Sequence, residues 1–368
     1  MLKTATIVSL HFSPAHVSHM FAYGKLLREL GYSVSFLLDE KYLSFADFSA
    51  VGPTLSAGTY AEPPDRLNAD VALFYNAAVA NAETARRMRA AGTRVLYVFH
   101  EPVPIAQRLS ESWKSILKLI AAKYCSLAML RQSDAVLVPS GYARSEYDRH
   151  FSRYNPNVFT FSLLFDDECG ERAPHAAKEA QQCFSFLGNA HKAHDFDAFV
   201  RFAKYAIKAK STIRFDIATK TNLASILARD PELARYAREG KVRLQHGRAL
   251  SNDEMNQHYR DSFCVWNVYN CSTQSGVLAR AFMAGSPVIA KKMGSFPEYI
   301  VSGINGEFVD ASHDYAAMLR IAEHMRQNIP AYSAGCRKTF MQTFYYAANR
   351  EQLARILDSA NREKLKCA

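Results

Sequence analysis

Several histidines and one glutamate in the first third of the chain follow predicted strands, where side chains can contact a ligand. They are His11, His16, His19 and His100, and Glu101 comes directly after His100. The first three follow the apolar run Thr6–Leu10, and the fourth ends the run Arg94–Phe99. Imidazole and carboxylate groups in such places can exchange protons or hydrogen-bond to hydroxyl groups. His16 and His19 have HxxH spacing without a visible third ligand, so we predict no metal site there.

A polar loop in the second half of the chain leads into a helix and could bind an anion. The loop begins at Asn270, and the helix is predicted over Gly276–Met283. Because the first N–H groups of a helix have no acceptor within it, they form an anion pocket, to which Ser275 and Gly276 would contribute. Arg280 on the same helix could reach a ribose or a phosphate with its guanidinium group.

A lysine lies at a comparable place after another predicted strand. Lys192 follows the turn Gly188–Asn189, and its ammonium group could bind an anion such as a phosphate. Close by, Asp195 and Asp197 match the DxD pattern of metal-bound nucleotide sites. Both stand where a helix begins, and carboxylates there complement the helix dipole, so we again predict no metal site.

Short apolar runs that read as strands alternate with segments of helical period along the chain. The strands are predicted at Thr6–Leu10, Tyr32–Leu38, Ala69–Phe74, Arg94–Phe99, Ala135–Val138, Cys183–Leu187, Ile213–Ala218, Val242–Gln245, Phe263–Val268 and Pro287–Ala290. The helices include His19–Leu30, Ala82–Ala91, Asp195–Lys208, Leu223–Glu239, Asp253–Arg260 with a capping box at Ser251 and Glu254, Gly276–Met283, and the chain from about residue 339 onward. This alternation is typical of parallel sheets built from βαβ units.

The two runs of alternation are separated by a polar, charged segment. We predict one α/β domain over 1–165, a linker over 166–182 and a second α/β domain over 183–344. Each would be a Rossmann-like, doubly wound parallel sheet. A ligand would bind in the crevice at the carboxyl ends of the two sheets.

Composition excludes several classes of protein. The chain has 368 residues, 49% hydrophobic and 22% charged, which is enough apolar surface for a folded core. It contains no apolar stretch of about 18 residues, no glycine-rich dinucleotide fingerprint after the first strand and no cleavable leader pattern. The cysteines number 7 and form no CxxC pair, as is typical of a reducing compartment. We therefore expect a cytoplasmic protein without a transmembrane helix.

The net charge of +10 favours anionic partners. No zinc-finger, helix-turn-helix or RNA-binding signature accompanies the charge, so we predict no nucleic-acid partner. Residues 107–131 combine basic and apolar side chains at helical spacing, which is the pattern of a helix that lies on an anionic membrane surface. The alternative is a core-facing helix with a solvated basic side.

Residues 267–309 resemble the C-terminal half of the large retaining GT-B glycosyltransferase family. The matching residues are Ala281, Gly285, Pro287, Val288, Ile289, Gly294, Pro297, Glu298, Gly303, Asn305 and Gly306. Similarity extends to Ser133–Ser140 and Phe186–Lys192. The resemblance implies a GT-B fold, in which two Rossmann-like domains face a central cleft. It also implies that a C-terminal helix at about 345–368 packs on the first domain.

The resemblance further implies transfer of a sugar from a nucleoside-diphosphate sugar to a glycan or lipid-linked glycan, as in cell-surface polysaccharide synthesis. A UDP-sugar or GDP-sugar would bind the second domain and the acceptor the first, without metal or cofactor and with retention. The predicted donor-binding residues are Gly188, Asn189, Lys192, Lys220, Tyr269, Ser275, Gly276 and Arg280. The predicted catalytic residues are His100 and Glu101, and the predicted acceptor-side residues are His11, His16 and His19.

The chain departs from the family pattern at the positions that usually contact the donor. Ser272 and Arg280 replace the paired glutamates, Asn189 replaces an arginine, and Thr219 and Lys220 replace glycines. Two alternatives therefore stay open: a non-catalytic GT-B subunit that scaffolds a partner enzyme, and a nucleotide-sugar epimerase. A response to nucleotide would argue against the scaffold, and donor turnover without acceptor would indicate the epimerase.

Overall fold

The computed structural model describes residues 2–56, 69–103, 113–170, 183–190, 192–270, 272–311 and 313–367. Its contacts divide the chain into two compact units. The first comprises Met1–Asp166 and Phe344–Ala368, and the second comprises Asp167–Thr343.

The described part of the first unit contains one parallel sheet of seven strands. They are β1 (Lys3–Ser9), β2 (Tyr32–Leu38), β3 (Thr54–Ser56), β4 (Val71–Phe74), β5 (Arg94–Val98), β6 (Ala135–Val138) and β7 (Val158–Thr160). Their order is β3-β2-β1-β4-β5-β6-β7, with Ala5 paired to Val71 across the centre. The central strands are buried on both faces, which explains why they read as continuous apolar runs.

Helices connect these strands. They are α1 (Val17–Glu29), α2 (Glu40–Leu43), α3 (Val79–Ala90), α4 (Trp113–Gln132) and α5 (Gly141–His150). Gly31 and Gly92 follow α1 and α3 with φ of 86° and 94°, the left-handed conformation that ends a helix at little cost only for glycine. Ser140 caps α5, since its Oγ accepts from the Ala143 N–H at 2.9 Å.

The second unit has a parallel sheet of its own, with six strands among the described residues. They are β8 (Cys183–Leu187), β9 (Arg214–Thr219), β10 (Val242–His246), β11 (Ser262–Asn267), β12 (Val288–Lys291) and β13 (Gly306–Val309). The order is β10-β9-β8-β11-β12-β13. Both sheets are therefore doubly wound, as the sequence predicts.

The α-helices described in the second unit are α6 (Phe196–Lys208), α7 (Ala224–Arg229), α8 (Pro231–Arg238), α9 (Asn252–Arg260), α10 (Gly276–Met283), α11 (Phe296–Tyr299), α12 (Tyr315–Gln327) and α13 (Ile329–Thr339). Of these, α6, α9 and α10 lie close to their predicted positions, whereas α11, α12 and α13 were not predicted. The predicted capping box is confirmed: the Ser251 hydroxyl accepts from the Glu254 N–H, and the Glu254 carboxylate accepts from the Ser251 N–H. The single helix predicted over Leu223–Glu239 is wrong: it breaks at Asp230, because the residue before Pro231 disfavours helical geometry.

The chain then returns to the first unit. A π-helix (Phe340–Phe344) and a short 3-10 helix (Tyr346–Asn349) precede the last helix, α14 (Arg350–Cys367), so the continuous C-terminal helix expected from the sequence is interrupted. Phe165 donates its N–H to the Phe344 carbonyl at 2.8 Å and accepts from Tyr346 at 3.0 Å. The α14 side chains Leu353, Ile356 and Leu357 are buried in the core of the first unit.

Three consecutive acidic residues lie where the chain passes from one unit to the next. Asp166 forms an ion pair with Lys25 of α1, Asp167 with Arg337 of α13, and Glu168 with Arg280 of α10. Residues 171–182 of the predicted linker lie outside the described residues.

Among the described residues, no helix is both long and apolar enough to cross a lipid bilayer. Helix α4 covers most of the predicted basic helix, whose residues 107–112 lie outside the described part. From Ile120 to Tyr124 its side chains are exposed, and Met129 and Leu130 are buried.

Candidate functional site

The candidate donor residues lie at the centre of the second sheet. Strands β8 and β11 are neighbours, and the strand order reverses direction between them. In doubly wound sheets, ligands bind beyond the carboxyl ends of the strands at this point. The β8–α6 loop carries Gly188, Asn189 and Lys192, and the β11–α10 loop carries Tyr269 and Ser275.

The turn after β8 packs against the start of α10. Gly188 has a φ of 121°, and a Cβ at this position would lie 3.4 Å from Cγ2 of Val277 in the first turn of α10. Ser275 is the N-cap: its Oγ accepts from the Leu278 N–H and from Asn267 Nδ2, both at 3.2 Å. The remaining N–H groups of the first turn, which begins at Gly276, have no acceptor within the helix and carry partial positive charge. Such N–H groups are hydrogen-bond donors suited to an anion.

The β8–α6 loop is held in place by the residues after β11. The ring of His194 stacks on Tyr269 with centroids 4.1 Å apart, and Trp266 Nε1 donates to the His194 carbonyl at 3.0 Å. The Asn270 N–H donates to the Ala193 carbonyl at 2.8 Å. Burial raises the pKa of the Tyr269 hydroxyl far above its usual value, so this phenol stays protonated. Tyr269 therefore supports the loop with its ring.

Two predicted lysines are exposed at the same edge of the sheet. Lys192 lies in the β8–α6 loop and Lys220 in the turn after β9. In the described part of the chain neither forms an ion pair, so both ammonium groups are available to an anion. Ala190 donates its N–H to the Thr219 and Thr221 hydroxyls at 3.3 and 3.2 Å, which links these two loops.

Arg280 lies within a polar cluster of the second unit. Its guanidinium group donates to Asn256 Oδ1 at 2.9 Å and to Asn252 Oδ1 at 3.0 Å, and it forms an ion pair with Glu168 at 3.4 Å. Its side chain is only 13% exposed. The guanidinium group predicted to reach a ribose or phosphate is thus engaged by these three residues. Ser272 is buried, and its hydroxyl has no hydrogen-bond partner among the described residues.

Of the two aspartates of the DxD string, Asp195 forms an ion pair within the second unit. Asp195 precedes α6 with a φ of 50°, and its Oδ2 lies 3.3 Å from Lys291 Nζ, whereas Asp197 is exposed in the first turn of α6. No three His, Cys, Asp or Glu side chains in the described ranges lie close enough together to hold a metal ion.

In the first unit, three of the predicted histidines lie around one tyrosine that follows β4. The ring centroid of Tyr75 is 5.0 Å from His16, 5.6 Å from His19 and 4.5 Å from His100, and the His16 and His100 rings are stacked 5.4 Å apart. His100 Nε2 lies 3.1 Å from the Tyr75 carbonyl. Glu101 and His11 are exposed and lie outside this ring cluster.

A buried polar network fixes the loop that carries His11 and His16. Tyr42 and Asn76 donate to the His11 carbonyl at 3.1 and 2.8 Å, and Asn81 accepts from the Leu10 N–H at 2.9 Å. Sequence reasoning missed Tyr42, Asn76 and Asn81. Nothing in their spacing marked them, because Tyr42 lies on α2, Asn76 in the β4–α3 loop and Asn81 on α3, and only the fold brings Tyr42 to the other two.

The histidine cluster predicts a specific loss of stability in acid. Burial, followed by the neighbouring histidines, lowers the pKa of His16 well below its usual value, and burial lowers that of His100 to about 4. Unfolded histidines protonate near pH 6.5, so from there down to about pH 4 the unfolded chain binds more protons. The free energy of unfolding should therefore decrease as the pH is lowered through this range, by up to about 1.4 kcal/mol per pH unit for each ring.

Urea unfolding between pH 7 and 4.5 measures this slope. The double variant His16→Gln, His100→Gln should show a shallower fall than the native chain. Parallel curves would contradict the assignment of the slope to these two rings.

No family model matches the chain, and no curated protein sequence is significantly similar to it. Solved structures do match. Anabaena HepE in complex with UDP is 12% identical with a TM-score of 0.70, and the match covers 97% of this chain and 100% of that one. Sucrose-phosphate synthase from Thermosynechococcus elongatus is 12% identical with a TM-score of 0.70 and full coverage of both chains. The catalytic domain of Arabidopsis thaliana starch synthase IV, bound to ADP and acarbose, is 11% identical with a TM-score of 0.68, covering 98% and 99%.

These likenesses extend over nearly the whole chain, and two doubly wound parallel sheets agree with them. The fold predicted from residues 267–309 is thereby confirmed: the chain has the two-domain α/β fold of the GT-B glycosyltransferases.

Proposed function

We propose that this protein is a glycosyltransferase that binds a nucleoside-diphosphate sugar, a UDP-sugar or GDP-sugar, on its second unit. The observation that supports the proposal is the arrangement of donor groups at the centre of the second sheet. There Gly188 packs against the first turn of α10, and the same loop carries Lys192, which forms no ion pair with any described residue. When the bond between the anomeric carbon and the diphosphate breaks, negative charge develops on the leaving oxygen. Lys192 and the helix amides would stabilise that charge without a metal.

The similar structures support a nucleotide ligand. HepE was crystallised with UDP and with UDP-glucose, and starch synthase IV was crystallised with ADP. A diphosphate is common to all of these, and it is the part of the ligand that the lysines and helix amides would bind.

The first experiment is calorimetry of the full chain with UDP, GDP, CDP, dTDP and ADP, with and without a chelator. A specific site should bind one nucleoside diphosphate in preference to the others, and chelator should leave the affinity unchanged. If none of the five binds at millimolar concentration, the proposed function is wrong.

Lys192→Met should lower the affinity for the preferred nucleoside diphosphate by about tenfold to a hundredfold. A charge-assisted contact to phosphate contributes on the order of 1.5–3 kcal/mol, and methionine keeps the length of the side chain without its charge. Affinity for the free nucleoside should not change. Lys210→Met is the control, because Lys210 lies just beyond the far end of α6. Equal losses in both variants would contradict a specific role for Lys192.

We further propose that the acceptor, a glycan or lipid-linked glycan, binds the first unit near the histidine cluster around Tyr75, with His100 and Glu101 nearest the reaction. Transfer would proceed with retention of configuration. A lipid-linked acceptor would fit contact of residues 107–131 with an anionic membrane, and the exposed Ile120, Lys123 and Tyr124 of α4 suit such a surface. Transfer of radiolabelled sugar to lipid extract tests the acceptor class.

One observation favours the alternative of a non-catalytic GT-B subunit. Ser272 and Arg280 occupy the places of the family's paired glutamates, and Arg280 is bound within the unit. Failure to bind any of the five nucleoside diphosphates would support this alternative, whereas a response to nucleotide would argue against it.

A further inference from the structure

Three polar side chains join three strand-end loops of the second unit at one point. Lys291 is the last residue of β12, and its Nζ lies 2.6 Å from Asn270 Oδ1 and 3.3 Å from Asp195 Oδ2. Asn270 belongs to the β11–α10 loop, and Asp195 ends the β8–α6 loop. We name Asn270, Asp195 and Lys291 the loop clamp.

The amide of Asn270 connects the loop clamp to Lys192. Its Nδ2 donates to the Lys192 carbonyl at 2.9 Å, while its backbone N–H donates to the carbonyl of Ala193 at 2.8 Å. The backbone that carries the Lys192 side chain is thus bonded at two consecutive carbonyls, and the side chain itself is exposed. One amide therefore bridges the Lys192 backbone and the Lys291 ammonium group.

The ion pair of the loop clamp is shielded from water. The side chain of Lys291 is 20% exposed and that of Asp195 is 16% exposed, so their attraction is screened less than that of a surface pair. Asp195 also has a left-handed backbone, with a φ of 50°, which side-chain-bearing residues adopt only at a cost. A conformation of this kind persists when surrounding contacts hold it, and the pair with Lys291 is such a contact.

We propose that Asn270, Asp195 and Lys291 are positioning residues for phosphate binding. The loop clamp fixes the β8–α6 loop so that Lys192 meets the diphosphate of the donor, and none of the three needs to touch the nucleoside. The proposal rests on the proposed function, because it assumes that the second unit binds a nucleoside diphosphate.

The test compares the affinities of variants for UDP and for uridine by calorimetry, or for whichever diphosphate and nucleoside pair the native chain prefers. Asn270→Ala and Lys291→Met should each lose about tenfold in affinity for the diphosphate and keep that for the nucleoside. Lys291→Arg should keep most of the native affinity for the diphosphate, because arginine keeps the positive charge. Combined with Lys192→Met, Asn270→Ala should add little, because a misplaced loop matters only through Lys192.

Lys292→Met is the matched control, because it removes the adjacent, exposed lysine and should leave both affinities unchanged. Thermal unfolding of each variant verifies that it is folded. If the native chain binds no nucleoside diphosphate, both the proposed function and the loop clamp fail. Two results would contradict the loop clamp alone, provided that the native chain binds UDP. One is that the clamp variants bind UDP as tightly as the native chain does, and the other is that their affinity for uridine falls by the same factor as their affinity for UDP.

Discussion

Replacing Gly294 by alanine should destabilise the second unit by about 3 kcal/mol or more and abolish nucleotide binding. A Cβ at this position would lie 1.9 Å from the Ser272 carbonyl oxygen, and the φ of 54° is strained for any residue with a side chain. The contact joins the segment after β12 to the β11–α10 loop, since Ser295 donates its N–H to the same carbonyl at 3.4 Å. Relief of the clash must therefore displace the loop that leads into α10.

Gly303→Ala separates the clash from the backbone strain. Gly303 has a φ of 79°, but a Cβ there would meet nothing within 4 Å. Its replacement should cost about 1 kcal/mol, the backbone penalty alone, and leave nucleotide affinity unchanged. Urea unfolding and calorimetry measure both effects. Equal destabilisation by the two variants would show that the Ser272 contact is unimportant.

Arg243→Met should cost about 3 kcal/mol of unfolding free energy, because it leaves a buried carboxylate without its main partner. Arg243 donates from Nε and Nη2 to the two oxygens of Asp216 at 2.9 and 2.8 Å, and the Asp216 side chain is fully buried. His258 Nδ1 lies 2.6 Å from the same carboxylate. This second partner keeps the expected cost at the lower end of the range for a broken buried pair.

The loss of unfolding free energy in Arg243→Met should become smaller at acidic pH. Burial alone would raise the pKa of Asp216, but hydrogen bonds from His258 and Arg243 outweigh it, so the pKa lies below its usual value. The native network therefore stabilises the fold above the pKa of an unfolded aspartate, about 3.9, and loses this contribution as the pH falls below it. The difference between the native chain and Arg243→Met should shrink in the same range.

Arg248→Met serves as the comparison for Arg243→Met. Arg248 forms a similar two-bond pair with Glu254, at 2.9 and 2.5 Å, but both partners are exposed. Water hydrates Glu254 when the arginine is removed, so little stability should be lost. If the two arginine variants lose the same stability at neutral pH, burial of the carboxylate is not the cause.

The sequence predicted the strands of the sheet centres well, because buried parallel strands are continuous apolar runs. Tyr32–Leu38, Ala135–Val138 and Cys183–Leu187 have the predicted bounds. Edge strands such as β3 and β7 were missed, since each has only three residues and little apolar pattern. Helical periodicity predicted one continuous helix where the structure has α7 and α8. The break comes from Pro231, the first residue of α8.

The candidate site was predictable where local geometry creates it and not where tertiary contacts do. Ser275 and Gly276 could be placed at a helix start from their own sequence. The partners of Arg280 could not, because Glu168, Asn252 and Asn256 come from distant segments. Lys291 was missed for the same reason, because its partners Asn270 and Asp195 belong to other loops.

The return of the chain to the first unit has a consequence for the order of folding during synthesis. The second unit is one continuous segment, 167–343, and can complete its core as soon as that segment has left the ribosome. The first unit cannot, because Leu353, Ile356 and Leu357 belong to its core, and the Arg94 side chain donates to the Leu357 carbonyl. The half that is translated first is therefore the half that finishes last, and its apolar surface stays open to chaperones until the final helix is made.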